Sequence, residues 1–136
     1  MDISGSANKD LFFTKDHEWI EFQGTIARIG ICSFKLLGFR EIHDIVFYDP
    51  IGMQIKKGEL IAKVKSKDFS IGAHMPVDGK LIKLNELLVS GDRNILLRYP
   101  ESIGWIAMIA PSQPYERKDI LAPKEYRLNR KGKYAK

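Results

Sequence analysis

Apolar and polar positions alternate in short stretches over most of this chain, and sharp turn signals separate the stretches. His17-Glu18-Trp19-Ile20-Glu21-Phe22 alternates as a half-buried strand should. After the turn pair Gln23-Gly24, Thr25-Ile26-Ala27-Arg28-Ile29-Gly30-Ile31 alternates again, which predicts a β-hairpin. Ser33 to Phe39 carries apolar residues at helical spacing, and Ser33 is the expected N-cap of that short helix. Asp44-Ile45-Val46-Phe47-Tyr48 is β-branched and aromatic, and Asp49-Pro50 ends it. A short strand around residues 53–55 lies between the turns at Gly52 and Lys57-Gly58. Another runs from Leu60 to Ser66 with a period of two from Ile61 onward. Pro76-Val77-Asp78-Gly79 predicts a turn before the strand Lys80–Leu84, and a short irregular or helical piece follows at Leu84–Leu88. Gly104–Ala110 is expected as a buried closing strand, and Glu116–Leu121 as a last helix. Short strands at close spacing with Gly and Pro between them predict a mainly β fold, sandwich or barrel-like.

With 136 residues and a hydrophobic fraction of 44%, the chain is suited to one domain with a core of its own. No apolar run nears the ~20 residues of a membrane-crossing helix, and the first ten residues lack the basic-then-apolar layout of a secretory signal. A single cysteine, Cys32, permits no internal disulfide and fits a reducing, cytoplasmic setting. The net charge of +5 is concentrated late in the chain, from Arg117 to Lys136. The expected division is a polar, disordered leader at 1–10, a domain at 11–114 and a basic extension at 115–136. Such an extension reads first as a solvated terminus and only secondarily as a nucleic-acid contact.

Candidate chemistry is sparse. His17, His43 and His74 are scattered without metal-ligand spacing, so no metal site is expected. Neither glycine-rich phosphate-binding pattern is present. Cys32 has no base partner in the sequence, so the chain is not expected to be an enzyme. Lys63, Lys65 and Lys67 recur every second residue and so share one strand face. That face is either ordinary solvent surface or, with His74, a partner-binding strip.

Several segments, in order, resemble one family. They are Thr14-Lys15-Asp16-His17-Glu18-Trp19, Gly30-Ile31, Asp44-Ile45-Val46-Phe47 and Gly52 with Lys56-Lys57-Gly58-Glu59, then Val64-Lys65-Ser66, Pro76-Val77-x-Gly79, Leu84-Asn85-Glu86 and Gly104-Trp105. Together they resemble the H protein of the glycine cleavage system. The resemblance implies a lipoyl-domain-like flattened β-barrel or sandwich of two sheets with short helices, including a C-terminal one. It also implies a non-catalytic carrier whose lipoyl arm, borne by a hairpin lysine, meets three enzymes: glycine decarboxylase, aminomethyltransferase and lipoamide dehydrogenase. A lipoate ligase-type protein would load that arm.

The hairpin departs from the family pattern. Gapless alignment puts Asp68 on the lipoyl-lysine position, and an aspartate cannot form the lipoyl amide. Lys65 replaces the family's glutamate, and Lys67 stands one residue, ~3.8 Å of chain, before the expected place. The resemblance therefore implies an accessory or docking relative without lipoate at the family position. The alternative is a carrier modified at Lys67.

Overall fold

The computed structural model describes residues 11–113 and 120–126. Its strands are β1 (Leu11–Phe13), β2 (Glu18–Gln23), β3 (Ile26–Ile31), β4 (Asp44–Phe47), β5 (Gln54–Ile55), β6 (Leu60–Lys65), β7 (Ser70–His74), β8 (Gly79–Leu84) and β9 (Ala107–Pro111). Between them lie a 3-10 turn at Ser33–Leu36 and two short helices, α1 (Glu86–Ser90) and α2 (Ile95–Arg98). The strands form a six-stranded sheet in the order β1-β2-β3-β9-β8-β5 and a three-stranded sheet in the order β4-β6-β7. Every pairing is antiparallel. The two-sheet, mainly β architecture implied by the sequence is the one observed.

Alternation explains where the main core sits. Ile20, Ala27, Ile29, Ala62, Val64, Leu81 and Ile109 are buried together, contributed by both sheets. β2 departs from simple alternation because both of its faces are covered. Ile20 joins the main core, while Trp19 joins a second cluster with Phe13, Cys32 and Tyr126. The indole is fully buried, and its Nε1 donates to the Pro100 carbonyl at 3.0 Å. Trp19 pairs with Gly30 on β3, where an added Cβ would lie 2.5 Å from the ring. Glycine is required here for close approach rather than for backbone freedom.

Three expectations need correction. Ser33 is not the N-cap: Cys32 holds that position in extended conformation, and no side chain caps the turn. The Ser33 backbone N–H instead donates to the Glu101 carboxylate at 3.1 Å. The closing strand begins at Ala107 rather than Gly104. Gly104 is held in a turn by its N–H bond to the Tyr99 carbonyl at 2.8 Å. Leu121 is not helical but forms a bridge with Phe13, with bonds of 2.8 and 2.6 Å. The helix is found instead at 123–126. Residues 116–119 of the expected helix lie outside the described residues, as do the 1–10 leader and the basic stretch at 127–136.

The described part of the expected extension packs on the domain. Tyr126 is 4% exposed and stacks on Phe13 with ring centroids 4.5 Å apart. Its hydroxyl meets His17 Nδ1 at 2.8 Å. His17 is the one described non-glycine residue with positive φ, 63°, in the turn that carries Thr14 into β2.

Candidate functional site

β6 and β7 form a tight hairpin whose last strand pair is Lys65 with Ser70. Beyond that pair the Ser66 N–H donates to the Phe69 carbonyl at 2.8 Å, leaving Lys67 and Asp68 as the two tip residues. Neither has positive φ, so the usual primed hairpin turns are not used. Ser66 provides the substitute closure. Its hydroxyl oxygen accepts from the Asp68 and Phe69 N–H groups at 3.2 Å each, and its O–H lies 3.2 Å from the Phe69 carbonyl. One short side chain thus organises the tip, as serine does in local turns.

Lys67 and Asp68 are both exposed. Phe69 turns back on Phe39 with centroids 4.7 Å apart. A recess of about 410 Å³ opens there between Gly38, Arg40 and Glu41 on one side and residues 66–69 on the other. Val64 and Ala62 point into the core, whereas Lys65 is exposed and Lys63 partly so. Lys63 and Lys65 therefore share the outer face of β6, whereas Lys67 lies beyond the strand at the tip.

His74 lies at the far end of β7 from the tip, in a cluster of opposite charges. Its Nδ1 is 2.9 Å from Glu18 Oε2 and 3.0 Å from Asp16 Oδ2, and its backbone N–H donates to Glu18 Oε2 at 3.0 Å. The Lys35 ammonium, from the 3-10 turn, donates to Asp16 at 2.8 Å, to Glu18 at 3.0 Å and to the Gly72 carbonyl at 2.8 Å. β7 is an edge strand. Lys35 and Glu18 thus bind outward-facing backbone groups that an edge strand leaves without a ladder partner. They also tie β7 to β2 and to the 3-10 turn.

The two carboxylates respond oppositely to their surroundings. Burial pushes the Glu18 carboxyl above its ordinary value, and the Lys35 and His74 contacts only partly oppose that. Burial also raises Asp16. There the hydrogen bond and charge of Lys35, with the charge of His74, outweigh it and hold the group below its ordinary value. The difference follows from exposure: the Glu18 side chain is 4% exposed and that of Asp16 is 58%. Burial likewise pushes the Cys32 thiol far up, which leaves it protonated and inert.

Sequence reasoning did not find Asp16, Glu18 and Lys35 as partners of His74. Asp16 and Glu18 are two apart, but nothing in the sequence marks Lys35 as their counter-ion. One ligand atom each from Asp16, Glu18 and His74 lies within 4.8 Å of the others, a spacing a metal ion could bridge. The Lys35 ammonium stands among them and already provides the positive charge.

No helix among the described residues is long and apolar enough to cross a membrane. The sequence model of the family described as "Glycine cleavage H-protein" matches residues 11–132. A "Glycine cleavage system H protein" of Phenylobacterium zucineum is 33% identical over 116 residues, covering 84% of this chain and 93% of its own length. The protein of the same name from Caulobacter vibrioides is 35% identical over 106 residues, covering 76% and 84%. Among solved structures, a glycine cleavage system H protein from Mycobacterium marinum superposes with a TM-score of 0.77 at 23% identity. That superposition covers 90% of this chain and 97% of the other, and it shows a shared fold. From sequence and fold together, the chain belongs to the glycine cleavage H-protein family, whose members are lipoyl carriers rather than catalysts.

Proposed function

We propose that this chain is an H-protein relative that bears no lipoate at the family's attachment position and acts by docking. Its partners would be enzymes of glycine cleavage (the decarboxylase, the aminomethyltransferase, lipoamide dehydrogenase) or a lipoate ligase-type protein. The carrying observation is a hairpin with its frame complete and Asp68 at its exposed tip. Ser66 closes the turn and the Lys35–Glu18 clamp holds β7. A carboxylate at that position offers no amine for an amide bond to lipoate. Where lipoate is attached it carries the chemistry, and the protein positions it; the residue at Asp68 does not fit that group.

Lys63 and Lys65 on the outer face of β6, with Lys67 at the tip and His74 beyond, are the residues proposed to meet an acidic partner surface. One observation favours a second reading. Lys67 shares the tip with Asp68 and is exposed, so its amine is open to a ligase. In that reading the chain is a lipoyl carrier with a displaced attachment residue.

Docking is tested by titrating mass-verified, unmodified protein into each purified glycine cleavage enzyme by calorimetry. Binding that weakens as salt rises, and weakens further in Lys63→Glu/Lys65→Glu, supports the reading. A folded protein that binds none of these enzymes overturns it.

A further inference from the structure

The bonds to Ser66 fall unevenly on the two tip residues. The Asp68 N–H belongs to the peptide joining residues 67 and 68, and the Phe69 N–H to the peptide joining 68 and 69. Both donate to the Ser66 hydroxyl oxygen, at 3.2 Å each. A peptide is planar, so holding both of these fixes the plane on either side of the Asp68 Cα and with it the direction of the side chain at position 68. Lys67 is bordered by only one of the two held peptides, and its own N–H bonds to no other described residue. Both ends of the turn are anchored as well. Lys65 pairs with Ser70, and Phe69 packs on Phe39 with ring centroids 4.7 Å apart.

We infer that Ser66 is a positioning residue that selects position 68, and not position 67, as the side chain this hairpin presents to an enzyme acting on the tip. The inference rests on the proposed reading of position 68 as the family's attachment place, and it adds the cause of the selection. Lys67 has an exposed amine, but its backbone lies outside the doubly held position. An acylating enzyme needs the acceptor amine in line with an activated carboxyl, and a side chain on a fixed backbone meets that need at less entropic cost. Replacing Ser66 by alanine keeps the strands and the Ser66 N–H bond to the Phe69 carbonyl. It removes the oxygen that holds both peptides around position 68, so the competent tip becomes one conformation among several.

The probe is a purified lipoate ligase supplied with lipoate and ATP, acting on the full chain with Asp68→Lys as acceptor. The amine attacks the activated lipoyl carboxyl, the amide bond forms, and AMP and the amine's proton leave. Peptide mapping should find lipoate at position 68 and Lys67 bare. Adding Ser66→Ala should raise the apparent KM for the chain by about tenfold and spread modification onto Lys67. Ser66→Thr keeps the hydroxyl and should restore both the KM and the choice of site. Without any ligase, hydrogen exchange at the Asp68 and Phe69 amides should quicken in Ser66→Ala but not in Ser66→Thr, with the β6 and β7 ladder amides unchanged. An unaltered KM and site choice in Ser66→Ala/Asp68→Lys overturns the inference. So does a loss that Ser66→Thr fails to restore, or a folded Asp68→Lys that takes no lipoate. The docking reading fails separately, through absent binding to the glycine cleavage enzymes, which none of these comparisons measures.

Discussion

Replacing Lys35 by methionine keeps the aliphatic stem and removes the ammonium. Three contacts go at once: those to Asp16, to Glu18 and to the Gly72 carbonyl. They do not weigh equally. The Asp16 side chain is more than half exposed, so its pair contributes only about 0–1 kcal/mol. The Gly72 hydrogen bond contributes about 1 kcal/mol. Glu18 dominates, because its carboxylate is almost fully buried and would keep only the His74 contacts. Removing one partner of a fully buried pair costs about 3–5 kcal/mol, and the remaining His74 bonds reduce that. The net expectation near neutral pH is a loss of about 2–4 kcal/mol. In urea denaturation this lowers the midpoint by about 1 M or more with little change in slope. Hydrogen exchange should quicken first at Gly72 and His74, the clamped end of β7. Adding Glu18→Gln to Lys35→Met removes the stranded charge and should recover about half of the loss. A single variant that costs under about 0.5 kcal/mol, or a double variant less stable than the single, refutes the clamp.

Gly30→Ala should destabilise the domain by about 1–3 kcal/mol in the same assay, since the new methyl meets a buried indole already fixed by its bond to Pro100. Tyr126→Ala should cost about 3–5 kcal/mol by losing the stack on Phe13 and the His17 contact; a change under about 1 kcal/mol would show that the 120–126 segment is not part of the folded unit. Glu18 also sets a pH dependence. Its folded-state pKa is raised, so its contribution is fullest below the ordinary carboxyl value of 4.5 and is lost as pH rises through the folded value. Glu18→Gln lacks that decline, so its stability relative to the parent should improve from about pH 4 to about pH 7. A difference that stays flat or moves the other way contradicts the burial argument. Asp16, lowered, works in the opposite sense and loses its contribution as pH falls below its ordinary 3.8.

Local alternation made most of the fold legible. β3 alternates at period two, β2, β6 and β8 do so in part, and β4 is marked instead by its β-branched and aromatic run, with turns of Gly or Pro between them. β7 was hidden because Ser70–His74 centres on Gly72 and holds only Ile71 and Ala73 as apolar residues. It is a strand because β6 folds back upon it and because Lys35 and Glu18 bind its outer edge. Ile95–Arg98 is a single turn, too short for a helical period to register. Leu121 and Tyr126 show another limit. Their role depends on Phe13 more than a hundred residues away, and a local reading assigns them to a solvated extension. At the site, the outward placement of Lys63 and Lys65 followed from their spacing, whereas Lys67 and Asp68 were singled out as the tip only by the family resemblance. The clamp was not legible, because its members come from the turn before β2, from the start of β2, from a 3-10 turn and from the end of β7.

We propose that the hairpin is a lipoyl hairpin in form whose family attachment place is filled by Asp68. Intact mass after co-expression with an active lipoate ligase and supplied lipoate tests this most directly, with the parent, Lys67→Ala and Asp68→Lys compared. The expected result is an unmodified parent, an unmodified Lys67→Ala and a lipoyl-sized increment on Asp68→Lys. An increment on the parent that vanishes in Lys67→Ala would contradict it and make the chain a carrier with a displaced arm.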